Sequence, residues 1–380
     1  MPRHIERLVL SRPAPGTERV LRAYRWGAPD ARPKAYLQAA LHADETPGLL
    51  VAHHLTRLLD AAESAGQLRG QVVLVPYANP LGLAQFVNGQ QLGRYELSGG
   101  GNFNRNWPDL AALAGDALEG RLGPDRARNV QVIRAALVEA LAEQPQPPKE
   151  LDRLRLALAR LACDADLVLD LHCDDESLFH LFLIPQHWPS LSDLARELGS
   201  QAVLLAEDSG GGSFDEAFSG PWLRLARRFP DAVIPPACEA ATVELRGAAD
   251  VNDEIARRDA EALLRVLVRR GFLDGAVGEL PEALCEATSL DAVDTIKAPA
   301  AGVLSYRVGL GAVVRKGEVV ADLIDPAAED PRSGRSEICA ATDGFLLSRR
   351  AHKFVAAGDS VAKVVGREPL PHRTGYLLED

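Results

Sequence analysis

Ala40-Leu41-His42-Ala43-Asp44-Glu45-Thr46-Pro47 is the stretch on which the fold of this chain turns. It closes an apolar run, Ala35 to Leu41, and opens a segment in which Leu49, Leu50, His53, Leu55, Leu58 and Leu59 recur at helical spacing. A wholly apolar strand feeding an amphipathic helix is the mark of a sheet covered on both faces. Thr46 stands at the N-cap position with Pro47 at the first helical position. His53 and His54 then fall inside the helix and read as ordinary helix residues. The junction itself carries an imidazole, His42, with Asp44 and Glu45 close behind. A second apolar run, Leu167 to Leu171, ends in another imidazole, His172. Two histidines and one carboxylate, with a fourth position left to water, form the ligand set of a hydrolytic zinc site. Spacing alone does not choose between Asp44 and Glu45.

The same alternation extends in both directions. Arg19 to Trp26 and Gln71 to Tyr77 read as strands, Arg126 to Glu143 and Glu150 to about Ala162 as helices, and Ala202 to Ala206 as a further apolar segment. Thr242 to Arg246 looks like a short strand, and an amphipathic helix from about Val251 to Arg270 stops at Gly271. Strands alternating with helices predict an α/β domain with a mostly parallel sheet. Two stretches break the pattern. Asn88 to Pro108 is a long polar loop containing Gly99-Gly100-Gly101 and Asn102-Phe103-Asn104-Arg105-Asn106-Trp107, and Ser209 to Ser213 is a shorter glycine-rich loop. A loop as long as the first, inside a compact domain, is a functional surface more often than a connector.

The texture changes after Leu280. Ile296 to Val320 and Ile338 to Val364 repeat one another as short strands and glycine turns. The repeat resembles the half-motifs of biotinyl/lipoyl-type barrel-sandwich modules, which carry a cofactor on a lysine between the halves. That connection here, Asp325 to Glu337, contains no lysine, so no attached cofactor is expected. The expected organisation is a catalytic domain at 1–288, a small all-β barrel-sandwich domain at 289–368 and a tail at 369–380.

The chain of 380 residues carries a formal charge of −11 with a pI near 5.4. That balance argues against nucleic acid and against an anionic membrane surface as partners. No run approaches the ~18 apolar residues of a membrane span, and Met1-Pro2-Arg3-His4 leads into no signal-peptide core. Five scattered cysteines without a C-x-x-C pair fit a reducing cytoplasm. Oligomeric state is left open.

In this order, His42, Glu45, Asn104-Arg105, His172 and Glu244 resemble the succinylglutamate desuccinylase/aspartoacylase family, which shares its catalytic core with the zinc carboxypeptidases. The resemblance spans essentially the whole chain and implies a three-layer, carboxypeptidase-like domain with a β-rich C-terminal domain. It makes His42, Glu45 and His172 the ligands of one zinc ion per chain, since the family pattern is H-x-x-E. It makes Glu244 the general base and acid for a zinc-bound water, with Glu239 as the local competitor. Asn104 and Arg105 match the clamp for a substrate α-carboxylate, and Arg94 matches an arginine that steadies the oxyanion. Arg246 is placed as a contact to the acyl group, with pairing to a surface acid as its alternative. Asp170 shares a strand face with His172 and stands either behind a metal ligand or at a sheet end. Alanines at 40 and 43 replace the family's usual glycines, and Asn102-Phe103 replaces Asp-Leu. The implied activity is hydrolysis of the amide of an N-acylated amino acid or related small amine; the alternative is a metallocarboxypeptidase acting on short peptides.

Overall fold

The computed structural model describes residues 3–378; Met1 and Pro2, and Glu379 and Asp380 at the end of the expected tail, lie outside the described residues. A nine-stranded sheet runs in the order His4–Ser11, Arg19–Trp26, Gln71–Val75, Lys34–Ala39, Leu167–Asp174, Glu239–Gly247, His180–Leu183, Ala202–Leu205, Ala287–Ser289. Neighbours from Gln71–Val75 through Glu239–Gly247 are parallel, and the antiparallel pairs lie at one edge and at the junction with His180–Leu183. The buried central strands explain the continuous apolar runs.

Seven helices complete this part: α1 (Pro47–Ser64), α2 (Leu110–Gly115), α3 (Arg126–Ala142), α4 (Glu150–Ala162), α5 (Trp188–Leu198), α6 (Phe214–Arg228) and α7 (Asp253–Arg269). α1, α5 and α7 pack on one face through Leu55, Leu194, Leu263 and their neighbours. α2, α3, α4 and α6 cover the other through Leu110, Ile133, Leu158 and Phe218. The result is a three-layer α/β domain of the expected kind. One local expectation fails. α1 begins at Pro47, but the Thr46 side chain makes no capping bond and its backbone is already helical. The chain is wound before the helix starts, because Glu45 N–H bonds the His42 carbonyl and Leu49 N–H bonds that of Thr46.

Beyond residue 289 the chain forms small antiparallel sheets around their own core of Leu304, Val320, Leu346, Val355 and Val364. They are tied to the large domain at several points. Glu176–Ser177 pairs with the Gly344–Arg349 strand, and Leu290, Val293, Leu347 and Val365 pack with Ala202 and Leu204. Ala287–Ser289 itself belongs to the large sheet. Residues 369–378 are not loose, for Leu377 N–H bonds the Ser209 carbonyl at 2.7 Å. No helix among the described residues is long and apolar enough to cross a membrane.

Beneath the long polar loop lies an aromatic cluster. Phe214, fully buried at the start of α6, meets Phe218 at 4.6 Å, Trp107 at 4.8 Å and Tyr36 at 5.8 Å between ring centroids. Truncation to Phe214→Ala is expected to cost about 3–5 kcal/mol in chemical denaturation, because the surrounding helices and sheet cannot collapse onto the void. A loss below about 1 kcal/mol would show that the cluster does not hold the loop in place.

Candidate active site

The chemistry-bearing residues converge at the C-terminal ends of the parallel strands. This is where open α/β sheets place their ligand crevices. After the Lys34–Ala39 strand, Ala40 turns with φ 56, a left-handed conformation unusual for a side chain with a Cβ. The turn throws His42 over the sheet and brings Glu45 back beneath it. Ala43 N–H bonds the Gly93 carbonyl at 3.0 Å, so the loop bearing Arg94 is fastened to this turn. On the neighbouring strand, Leu167, Leu169 and Leu171 face α1 while Asp170 and His172 face the opposite side, as a two-residue period requires.

His42, Glu45 and His172 thereby come together, each at most 9% exposed, with candidate ligand atoms all within 4.8 Å of one another. His42 Nδ1 lies 2.8 Å from Glu45 Oε1, and His172 Nδ1 lies 2.8 Å from Glu45 Oε2. The outer nitrogens decide what this means. Asn102 Oδ1 accepts the backbone N–H of Asn104 at 2.9 Å, so the atom facing His42 Nε2, also at 2.9 Å, is an oxygen and the imidazole must donate to it. His172 Nε2 faces the Asp170 carboxylate at 2.8 Å in the same way. In a neutral imidazole, a proton on Nε2 leaves the Nδ1 lone pair pointing inward. His42 can offer that lone pair to the cluster; at His172 burial works against the charge, but Asp170 and Glu45 outweigh it and hold the imidazole well above its usual range, so a proton lies where a metal would bind. The donor set fits a divalent metal, and nitrogen and oxygen donors of this kind suit zinc. Asp44 is not part of the cluster; the geometry singles out Glu45.

Glu244 sits on the Glu239–Gly247 strand in register with His172. Its Oε2 is buried without a hydrogen-bond partner, and burial, reinforced by the Glu45 charge, pushes the carboxyl up to about 8. A cation at the His42–Glu45–His172 point would draw it back down. Glu239, at the far end of the strand, pairs with Arg270 and is remote from the cluster. Arg94 Nη1 approaches His42 Nδ1 at 3.3 Å and Glu45 Oε1 at 3.4 Å.

Asn104 and Arg105 line the same cavity. Asn104 Oδ1 accepts from Phe214 N–H at 2.8 Å and Trp107 Nε1–H at 3.1 Å, which ties the loop to the aromatic cluster. Arg105 donates from Nη1 to the Asn104 carbonyl at 2.8 Å and from Nε to Tyr376 Oη at 3.2 Å. Arg246 is the expected site residue that the structure does not bring to the cavity, and this corrects its placement as an acyl-group contact. Simple alternation would point it the same way as Glu244. A bulge between Glu244 and Gly247, with Arg246 at φ 67, instead turns it to the α7 side, where it bonds Asp259 and lies over the Phe179 ring.

Two functional positions escaped the sequence reading. Asn102 orients His42 but stood there only as a departure from Asp. Lys363 reaches in from the small β-region to bond Asp174 at 2.5 Å beside Glu244. Burial works against the Asp174 charge, but Lys363 outweighs it and holds the carboxyl below the usual range. Its signal was a lone lysine within the apolar strand Ser360–Val365.

The defining pattern of the succinylglutamate desuccinylase/aspartoacylase catalytic domain matches residues 31–270. A comparison with curated proteins finds no match. Among solved structures, a family protein from Shewanella amazonensis is 28% identical, covering 95% of this chain and 98% of its own at a TM-score of 0.81. A second, from Shewanella frigidimarina, is 25% identical over 96% and 97% of the two chains, with a TM-score of 0.82. The product-bound ectoine utilization protein EutE from Ruegeria pomeroyi shares the fold at 20% identity, over 96% and 95% of the chains and a TM-score of 0.65. With the matched pattern spanning more than half of its length, the chain belongs to the succinylglutamate desuccinylase/aspartoacylase family, whose members are deacylases.

Proposed function

We propose that this protein is a zinc-dependent amidohydrolase that releases the amine from an N-acylated amino acid or related small amine. One observation carries the proposal: candidate ligand atoms of His42, Glu45 and His172 meet in the same cavity as the Glu244 carboxyl, whose Oε2 is without a partner. Zinc held there would supply a Lewis acid for the scissile carbonyl and for water.

The protein's own groups do the rest. Asn104 and Arg105 hold the substrate's carboxylate, a task suited to a planar guanidinium. Glu244 takes a proton from water as the water adds to the carbonyl carbon. It returns that proton to the nitrogen as the C–N bond breaks, so the acyl group leaves as an acid and the amine as its free form. Burial raises this carboxyl and a neighbouring cation lowers it, and the balance of the two suits a group that both takes and returns a proton. Arg94, beside the ligand cluster, faces the oxygen on which negative charge develops. Asn102 and Asp170 keep the two imidazoles in the ligand tautomer.

The clamp would serve a carboxypeptidase equally well, since a peptide also ends in a carboxylate. What favours the smaller substrate is the wall. Lys363, Arg349 and Leu377, all beyond residue 289, line a cavity of about 420 Å³ that suits an acyl amino acid better than an extended chain.

A hydrolysis panel of N-acetyl and N-succinyl amino acids beside short peptides tests the proposal, and turnover of peptides alone would replace it with the peptidase. Glu244→Gln is expected to lower kcat by roughly 10²–10⁴-fold while elemental analysis still finds about one zinc per chain. Substantial residual turnover would remove Glu244 from the proton-transfer role. Asn102→Ala is expected to weaken zinc binding by about 10–100-fold in a chelator competition. Unchanged affinity would mean that His42 does not depend on Asn102 for its orientation.

A further inference from the structure

The least expected contact in the cavity comes from the end of the described chain. Arg105 Nε donates to Tyr376 Oη at 3.2 Å, across 271 residues of sequence. At the other end of the guanidinium, Nη1 donates to the Asn104 carbonyl at 2.8 Å. Two bonds at opposite ends fix both the position and the plane of the group. The Ser209–Ser213 loop closes against its face: a Cβ on Gly211 would stand 3.0 Å from Arg105 Nε. That loop and the 375–378 segment are fitted to each other. Leu377 N–H bonds the Ser209 carbonyl at 2.7 Å, and Arg373 donates to the Leu377 carbonyl at 2.6 Å. Gly210, at φ +84, leaves no space for a side chain, since its Cβ would lie 2.8 Å from Tyr376 Cα. Leu377 and Leu378 continue into the cavity wall, packing with Leu290 and Val293.

We propose that residues 373–378 form a specificity strap in which Tyr376 positions the Arg105 guanidinium for a substrate carboxylate. The proposal rests on the assignment of Arg105 to carboxylate binding made above. A bidentate arginine–carboxylate pair requires the guanidinium plane to match that of the carboxylate. A long side chain free to rotate must lose that freedom when substrate binds, whereas one held beforehand has already lost it. Tyr376 is thus a positioning residue that acts through Arg105. Selectivity for a free carboxylate over an amide is therefore set partly by a segment outside the catalytic sheet.

The test uses the full chain with zinc and the N-acetyl or N-succinyl amino acid that the wild type hydrolyses, beside the same compound with its carboxylate amidated. Tyr376→Phe keeps the ring and removes the hydroxyl. It is expected to raise KM for the carboxylate substrate roughly 5- to 20-fold, with kcat within about twofold and the amide unaffected. The same rise should appear in Kd, measured calorimetrically in a Glu244→Gln background where no turnover occurs. Gly210→Ala, which pushes the strap away without touching Arg105, should reproduce the effect. Unchanged KM and Kd in Tyr376→Phe, or equal weakening of acid and amide, would overturn the proposal. Arg105→Ala separates the two levels. If it weakens the carboxylate substrate while Tyr376→Phe does not, only the strap fails; if it has no effect, the carboxylate-binding assignment fails with it.

Discussion

The structure depends on one electrostatic constraint. Three ligand-type groups, two imidazoles and a carboxylate, meet at one buried point, with the outer imidazole nitrogens held by Asn102 and Asp170. Burying such a set is unfavourable unless a cation joins it. The surroundings read as the means of enforcing the constraint. The Ala40 turn aims His42, the strand alternation aims His172, and Asn102 and Asp170 hold the outer nitrogens of the two rings. Glu244, one strand further across the sheet, then lies where a proton can be exchanged with whatever reacts there.

Much of this was legible in the chain. An apolar run ending in a histidine is a strand that delivers an imidazole to the sheet's edge, and the chain contains two of them. Glu244 came instead from the resemblance to the family, which also placed Arg246 at the site, and there the structure differs. Alternation assigns positions 244 and 246 to one face, and only the bulge, invisible in residue types, turns the arginine toward α7. α6 was also silent. Phe214, Phe218 and Trp222 recur at helical spacing, yet Gly220 and Pro221 interrupt the pattern, and tertiary burial of the aromatic face overrides them. Asn102 was hidden for a different reason. Its importance lies in a bond to His42, sixty residues away, and in a backbone N–H that fixes which end of its amide faces the ring.

The small β-region contributes residues to the cavity. Lys363 enters beside Glu244, and Leu377 and Leu378 complete the cavity wall. A parallel sheet with helices on both faces opens a broad crevice at its strand ends. Residues beyond 289 cover part of that crevice and close it into a cavity. In the proposed reading, one part of the chain sets the substrate's size and another its chemistry. That division lets a family keep its reaction while its members change what they accept.

The most direct test of the central claim is anomalous X-ray scattering from crystals grown with zinc, recorded above and below the zinc absorption edge. The account predicts one strong peak per chain, bounded by His42 Nδ1, the Glu45 carboxylate and His172 Nδ1. A peak elsewhere, or none with zinc supplied in excess, would contradict it.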